Sequence, residues 1–238
     1  MRLIMPSKPT FHFISAFLLL ACLLVSQSGI AQSSRELALL EAVKAGDQES
    51  ARVLLDGTQN VNSAEADGTT ALHYAVLNNQ LNLVAALIRS GADVNARTRY
   101  GITPIYLAAR NGSRSMTQVL LNAGASANEI FNEGETVLMT AARTGDVDTV
   151  RVLLEAGAVV DAREDWHGQT PMMWAAAQKH APVIALLDEY GADVNATSSL
   201  EKWERQVTME PRDKWLPPGV MTPLHFAARE GCLDCIAT

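Results

Sequence analysis

Glycine-anchored starts recur along this chain at nearly constant intervals, and that recurrence limits the possible folds more than any local pattern does. Gly68, Gly101, Gly134 and Gly168 each open a Gly-x-Thr turn followed by an apolar run, at spacings of 33, 33 and 34 residues. A further start lies at Val220 ("VMTPLHFAAREG"), 52 residues after Gly168. Upstream, residues 35–67 have the same length and internal order without the opening turn. A period of this size marks a solenoid, because one such unit is too small to bury its own apolar face and neighbours must stack to do so.

The anatomy of one unit is readable from residues 101–133. "TPIYLAARNG" predicts a short helix, with Thr103 able to cap its N-terminus, Pro104 suited to the first helical position and Gly112 ending it. Ala108 and Ala109 are small where two helices must approach closely. "SRSMTQVLLNAG" predicts a second helix, carrying Met116, Val119, Leu120 and Leu121 at helical spacing and closed by Gly124. "ASANEIFNE" is too polar and too short for a third helix and predicts a projecting turn before Gly134.

The pattern resembles the ankyrin repeat. "TALHYAVLNN…VAALIRSGADVN" (Thr70 to Asn95) and "TPIYLAARNG…VLLNAGASAN" (Thr103 to Asn128) meet that family's motif. So do "TVLMTAARTG…VLLEAGAVVD" (Thr136 to Asp161) and "TPMMWAAAQK…ALLDEYGADVN" (Thr170 to Asn195), and "TPLHFAAREG" begins one more at Thr222. The resemblance implies an all-α solenoid of stacked helix-turn-helix units with projecting turns. The units run about 35–67, 68–100, 101–133, 134–167 and 168–200, with a partial unit at 220–238 and an insertion at about 201–219. It also implies that His73 and His225 hydrogen-bond in inter-repeat turns rather than bind metal or catalyse. Asn95, Asn128, Asp161 and Asn195 recur once per unit and tie down turns.

No metal-protease, nucleophile-elbow, phosphate-loop or zinc-spaced cysteine pattern is present, so no catalytic residue, cofactor or metal ligand is expected. Lys and Arg number 19 against 26 Asp and Glu, a net charge of −7, which argues against a nucleic-acid partner. Hydrophobic residues at 48% and charged residues at 19% are a folding composition.

The first residues are different material. Arg2 and Lys8 precede the apolar "FHFISAFLLLACLLV" (Phe11 to Val25), and "SGIA" ends at Ala31 with small residues where a signal peptidase reads. Residues 1–31 are therefore expected to be a secretory signal cleaved after Ala31, giving a periplasmic or secreted, non-membrane-spanning and monomeric bacterial product. The apolar run is short for a bilayer span of roughly 20 residues. An uncleaved anchor and a lipoprotein signal ending at Cys22 are the alternatives. Cleavage removes Arg2 and Lys8 and no acid, leaving 17 basic and 26 acidic residues, net −9.

Departures from the repeat carry what is individual. The insertion contains Trp203, Trp215 and the stiff "LPPG"; either the tryptophans pin it against the array or they meet a partner. It resembles an insertion of exported bacterial ankyrin proteins. The turn before Gly168 has one extra residue, which puts Trp166 and His167 at a tip in line with Tyr100 and Glu133. In ankyrin proteins the projecting turns and the first-helix face form the binding surface. The resemblance thus makes Tyr100, Phe131, Trp166, His167 and Trp174 candidate protein contacts beside Trp203 and Trp215, with packing between adjacent turns as the alternative for each. Cys232 and Cys235 form a CxxC without a redox-enzyme context and are expected as ordinary thiols, a local disulfide being the alternative. "AAREGCLDCIAT" stops within a second helix, so the chain is expected to continue beyond Thr238. The function expected is non-catalytic protein binding; a spacer array beside a downstream domain is the alternative.

Overall fold

The computed structural model describes residues 34–57, 60–199 and 220–238. The signal segment 1–31 and the insertion with Trp203 and Trp215 lie outside the described residues.

In every unit after the first, the first helix starts at a threonine. Thr136, Thr170 and Thr222 stand in extended conformation, and their hydroxyls accept from the backbone N–H three residues on, at 3.3 to 3.4 Å. Thr70 bonds instead to the His73 ring at 2.8 Å. Thr103 holds the same position, but its buried hydroxyl has no partner; there Pro104 at the first helical position removes one donor that would otherwise need capping. The first helices are α1 (34–44), α3 (Ala71–Leu77), α5 (Pro104–Arg110), α7 (Val137–Thr144), α9 (Pro171–Ala177) and α11 (Pro223–Glu230). The second helices are α2 (Gln48–Leu55), α4 (Leu81–Arg89), α6 (Arg114–Asn122), α8 (Val147–Glu155), α10 (Ala181–Glu189) and α12 (Leu233–Ala237).

First helices pack on first helices and second on second, in chain order, giving two layers. Ala75, Ala108, Ala109, Ala141, Ala142, Ala175 and Ala176 are wholly buried and permit the close approach of successive units. Leu83, Met116, Leu120, Val150, Leu153, Val183 and Leu187 fill the space between the layers. The units are also laced by polar groups. Asn78 and Asn111 donate from their side-chain amides to the Val43 and Val76 carbonyls of the preceding first helix.

The polar segments between units form fingers, closed at the base by bridges such as Ala64 to Thr70 and Ile130 to Thr136. One contains a single 3₁₀ turn, Asn132–Gly134. Successive fingers are joined by backbone bonds: Arg99 N–H to Asp67 C=O, Asp165 N–H to Glu133 C=O and Ser199 N–H to His167 C=O, at 2.6 to 2.7 Å. The flanks of the insertion pair across as a finger, Ser198 N–H to Met221 C=O and Val220 N–H to Ser198 C=O.

The expectation of free thiols at the chain's end is corrected. Cys232 and Cys235 form a disulfide. Cys232 caps α12 in extended conformation and Cys235 is its third residue, which brings their Cα atoms to 5.3 Å, inside the reach of a bridge.

Candidate protein-binding face

The 33-residue period repeats side-chain positions as well as backbone, and two rows of the first helices turn toward the fingers. One row is Tyr74, Leu107, Thr140, Trp174 and Phe226; three residues further along each helix lies the other, Leu77, Arg110, Arg143, Ala177 and Arg229, with Lys44 preceding it in α1. Contacts to the fingers fix their direction. Glu65 accepts from Lys44 Nζ at 2.6 Å and from the Tyr74 hydroxyl at 3.0 Å, and the ammonium lies 5.4 Å from the Tyr74 ring centre. The Lys44 bond first, then the Tyr74 bond, holds the Glu65 carboxyl below its usual range. Farther along, Glu135 accepts from the Thr140 hydroxyl at 2.7 Å and pairs with Arg143 at 3.5 Å. The Arg143 guanidinium in turn lies 5.1 Å from the Trp174 ring centre.

The candidate contacts separate on this frame. Phe131 is half-buried and stacks on Tyr106 with ring centres 4.4 Å apart, so its ring is spent inside the molecule. Burial first, and then the Glu135 charge, raises the Tyr106 hydroxyl pKa. Trp174 is half-buried beneath Arg143. Tyr100 is 51% exposed at the second finger, its hydroxyl bonded by Arg99 and its ring under that guanidinium. Trp166 is the most open aromatic among the described residues, at 65%, with the His167 ring 4.4 Å away.

A residue without a sequence signature of its own builds the Trp166 tip. Glu164 is 7% exposed, and its carboxylate accepts from the backbone N–H groups of Trp166 (2.6 Å), His167 (2.8 and 2.9 Å) and Gln169 (2.9 Å). Its own N–H closes the loop on the Gln169 carbonyl. Arg163 clamps the far side through the Gly168 and Thr197 carbonyls. An anion wrapped by donors in this way satisfies groups that the extra residue would otherwise leave without partners. The one-residue lengthening was the only clue in the sequence.

A sequence model of ankyrin repeats matches the chain three times, over residues 15–98, 39–130 and 105–198, which together take in more than half its length. The chain belongs to the ankyrin repeat family. Ankyrin repeats are interaction scaffolds and generally not catalytic. Within this chain 53 residues are 47% identical to Palmitoyltransferase AKR1 of Candida glabrata, a match that spans 21% of this chain and 7% of that protein. Among the described residues no group of three or more His, Cys, Asp or Glu side chains could hold a metal ion. No helix there is long and apolar enough to cross a membrane. His73 behaves as the resemblance implied, whereas His225 is exposed and its ring bonds only Thr222 of its own unit among the described residues. His73 Nδ1 accepts from Thr70 N–H and so leaves the proton on Nε2, which donates to the Ile102 carbonyl of the next unit at 3.1 Å.

Proposed function

We propose that this ankyrin array is the non-catalytic binding module of an exported bacterial protein and that its ligand is another protein, taken up by the finger tips and the first-helix rows. The observation that carries the reading is the Trp166 tip. A 65% exposed indole stands on a loop whose backbone N–H groups at Trp166, His167 and Gln169 are held by the buried Glu164 carboxylate. An exposed aromatic costs solubility, and holding it rigidly removes the ordering cost that a partner would otherwise have to offset. Export is supported by the charged start, apolar core and "SGIA" of residues 1–31.

A spacer array that supports a neighbouring domain is the competing reading. The internal pairing of Lys44 with Glu65 and of Arg143 with Glu135 favours it, since charges neutralised within the molecule need no partner. Cross-linking from the finger face in a periplasmic extract, followed by affinity measurement on the protein recovered, separates the two. Trp166→Ala is expected to weaken binding by roughly 2 kcal/mol or more at unchanged melting temperature. Loss of stability alone, with affinity intact, supports the spacer. N-terminal sequencing of the protein from a bacterial host tests export, with Gln32 expected as the first residue and an intact Met1 on soluble material counting against it.

A further inference from the structure

Cations recur on the outer first-helix row, and the structure supplies nearly all of them with an acid. Lys44 pairs with Glu65, twenty-one residues on; Arg143 pairs with Glu135, eight residues back; Arg229 pairs with Glu230, the next residue, at 3.0 Å. Arg110 holds the same place in its unit and is exposed, and among the described residues its side chain makes no hydrogen bond or ion pair. The register explains why. The three positions that serve the other cations are, for Arg110, Phe131, Ile102 and Asn111. Phe131 is stacked on Tyr106, Ile102 is packed against the core, and the Asn111 amide is committed to the Val76 and Leu77 carbonyls. One unit upstream in the same row lies Leu77, 43% exposed.

We infer that Arg110 is the receptor for a side-chain carboxylate on the bound partner, an acidic residue flanked by an apolar one that settles on Leu77; this rests on the reading of the finger side as a protein-binding face. The chemistry follows from charge and surroundings. A guanidinium offers a planar fork of donors that matches a carboxylate, and apolar neighbours that exclude water strengthen the pair. A chain-terminal carboxylate fits less well, because the row continues on both sides of Arg110, to Leu77 and to Arg143 with Trp174. A segment covering it must run past the acid in both directions.

Random peptides displayed on phage and selected on the immobilised protein test this directly, with the enriched peptides then synthesised and titrated by fluorescence anisotropy. Enrichment of Asp or Glu next to an apolar residue is expected. Arg110→Glu should weaken those peptides by about tenfold or more, and changing the peptide acid to lysine should restore binding to that variant alone. Arg110→Gln serves if the reversal disturbs folding, and Arg114→Glu, at the start of α6, is the control that should leave affinity within about twofold. If the enriched peptides carry no acid, or Arg110→Glu leaves them bound while Trp174→Ala releases them, the carboxylate receptor is overturned and the binding face stands. If no peptide is enriched, both fail.

Discussion

Asn62 and Asn128 each bridge two units by donating to a glycine carbonyl, Gly91 or Gly157, and accepting from the backbone N–H two residues past it, Asp93 or Val159. Asn95 donates likewise to the Gly124 carbonyl. Asp161 holds that place one unit later and accepts from Asp193 N–H, but a carboxylate has no proton for the Gly191 carbonyl. Asp161→Asn should restore the missing donor and stabilise the array by about 0.5–1.5 kcal/mol, read as a raised urea midpoint. A midpoint equal to or below that of the parent would refute it. His73 gives a second test. Burial holds its pKa below the ordinary 6.5, against weaker opposing pulls from the Ile102 and Ala96 carbonyls. The unfolded ring therefore takes up a proton first as pH falls. Stability is full above about 6.5 and declines below it until the folded ring also titrates, by up to about 1.4 kcal/mol for each pH unit between the two points. The melting temperature should accordingly drop between about pH 7.5 and 5.5, and His73→Gln should shrink that drop. An undiminished drop in the variant would assign the effect elsewhere.

The helices were legible because their signals are local: a threonine, often a proline after it, small residues at the helix contact and glycine at the end. The fingers were not, because their order comes from backbone groups closing around one side chain. Nothing in "REDWHGQT" announces that Glu164 will be buried and accept from three residues, and nothing in "EIFNE" says that Phe131 will turn back onto Tyr106. The CxxC was visible but its bond was not, since that depends on where α12 begins. Glu164→Gln swaps one acceptor oxygen for a donor that faces other donors. It should cost about 1–3 kcal/mol at that finger, and hydrogen exchange should accelerate at Trp166, His167 and Gln169 while α9 and α10 stay protected. Unchanged exchange at these amides would deny Glu164 its role. At the other end, a bridge closing so short a loop stabilises by about 2 kcal/mol in the chain-entropy account. Alkylation of native protein should label neither Cys232 nor Cys235. Added dithiothreitol should expose both and speed exchange across α12; labelling without reductant would contradict the bond.

The molecule as a whole is a row of neighbours, and the period that disclosed it in the sequence also dictates how it should come apart. Among the described residues the helices of each unit pack mainly on those of its neighbours, so stability is close to a sum of unit and interface contributions, and damage should spread according to where it falls. The period settles this without identifying any partner, because rows and layers follow from backbone register, whereas a ligand would be chosen by single residues, the role proposed for Arg110 and Trp166. Leu153 in α8 and Leu40 in α1 are both buried, the first in the middle of the array and the second at its end. Replacing either with alanine should cost about 2–5 kcal/mol. Leu153→Ala weakens interfaces on both sides and should split urea unfolding into two phases, with faster exchange in α5 to α10. Leu40→Ala should fray α1 and α2 alone and leave α7 to α10 protected as before. Exchange by mass spectrometry on the two variants distinguishes these patterns. If both raise exchange evenly along the chain, the array unfolds as one cooperative body and the nearest-neighbour account of its stability is wrong.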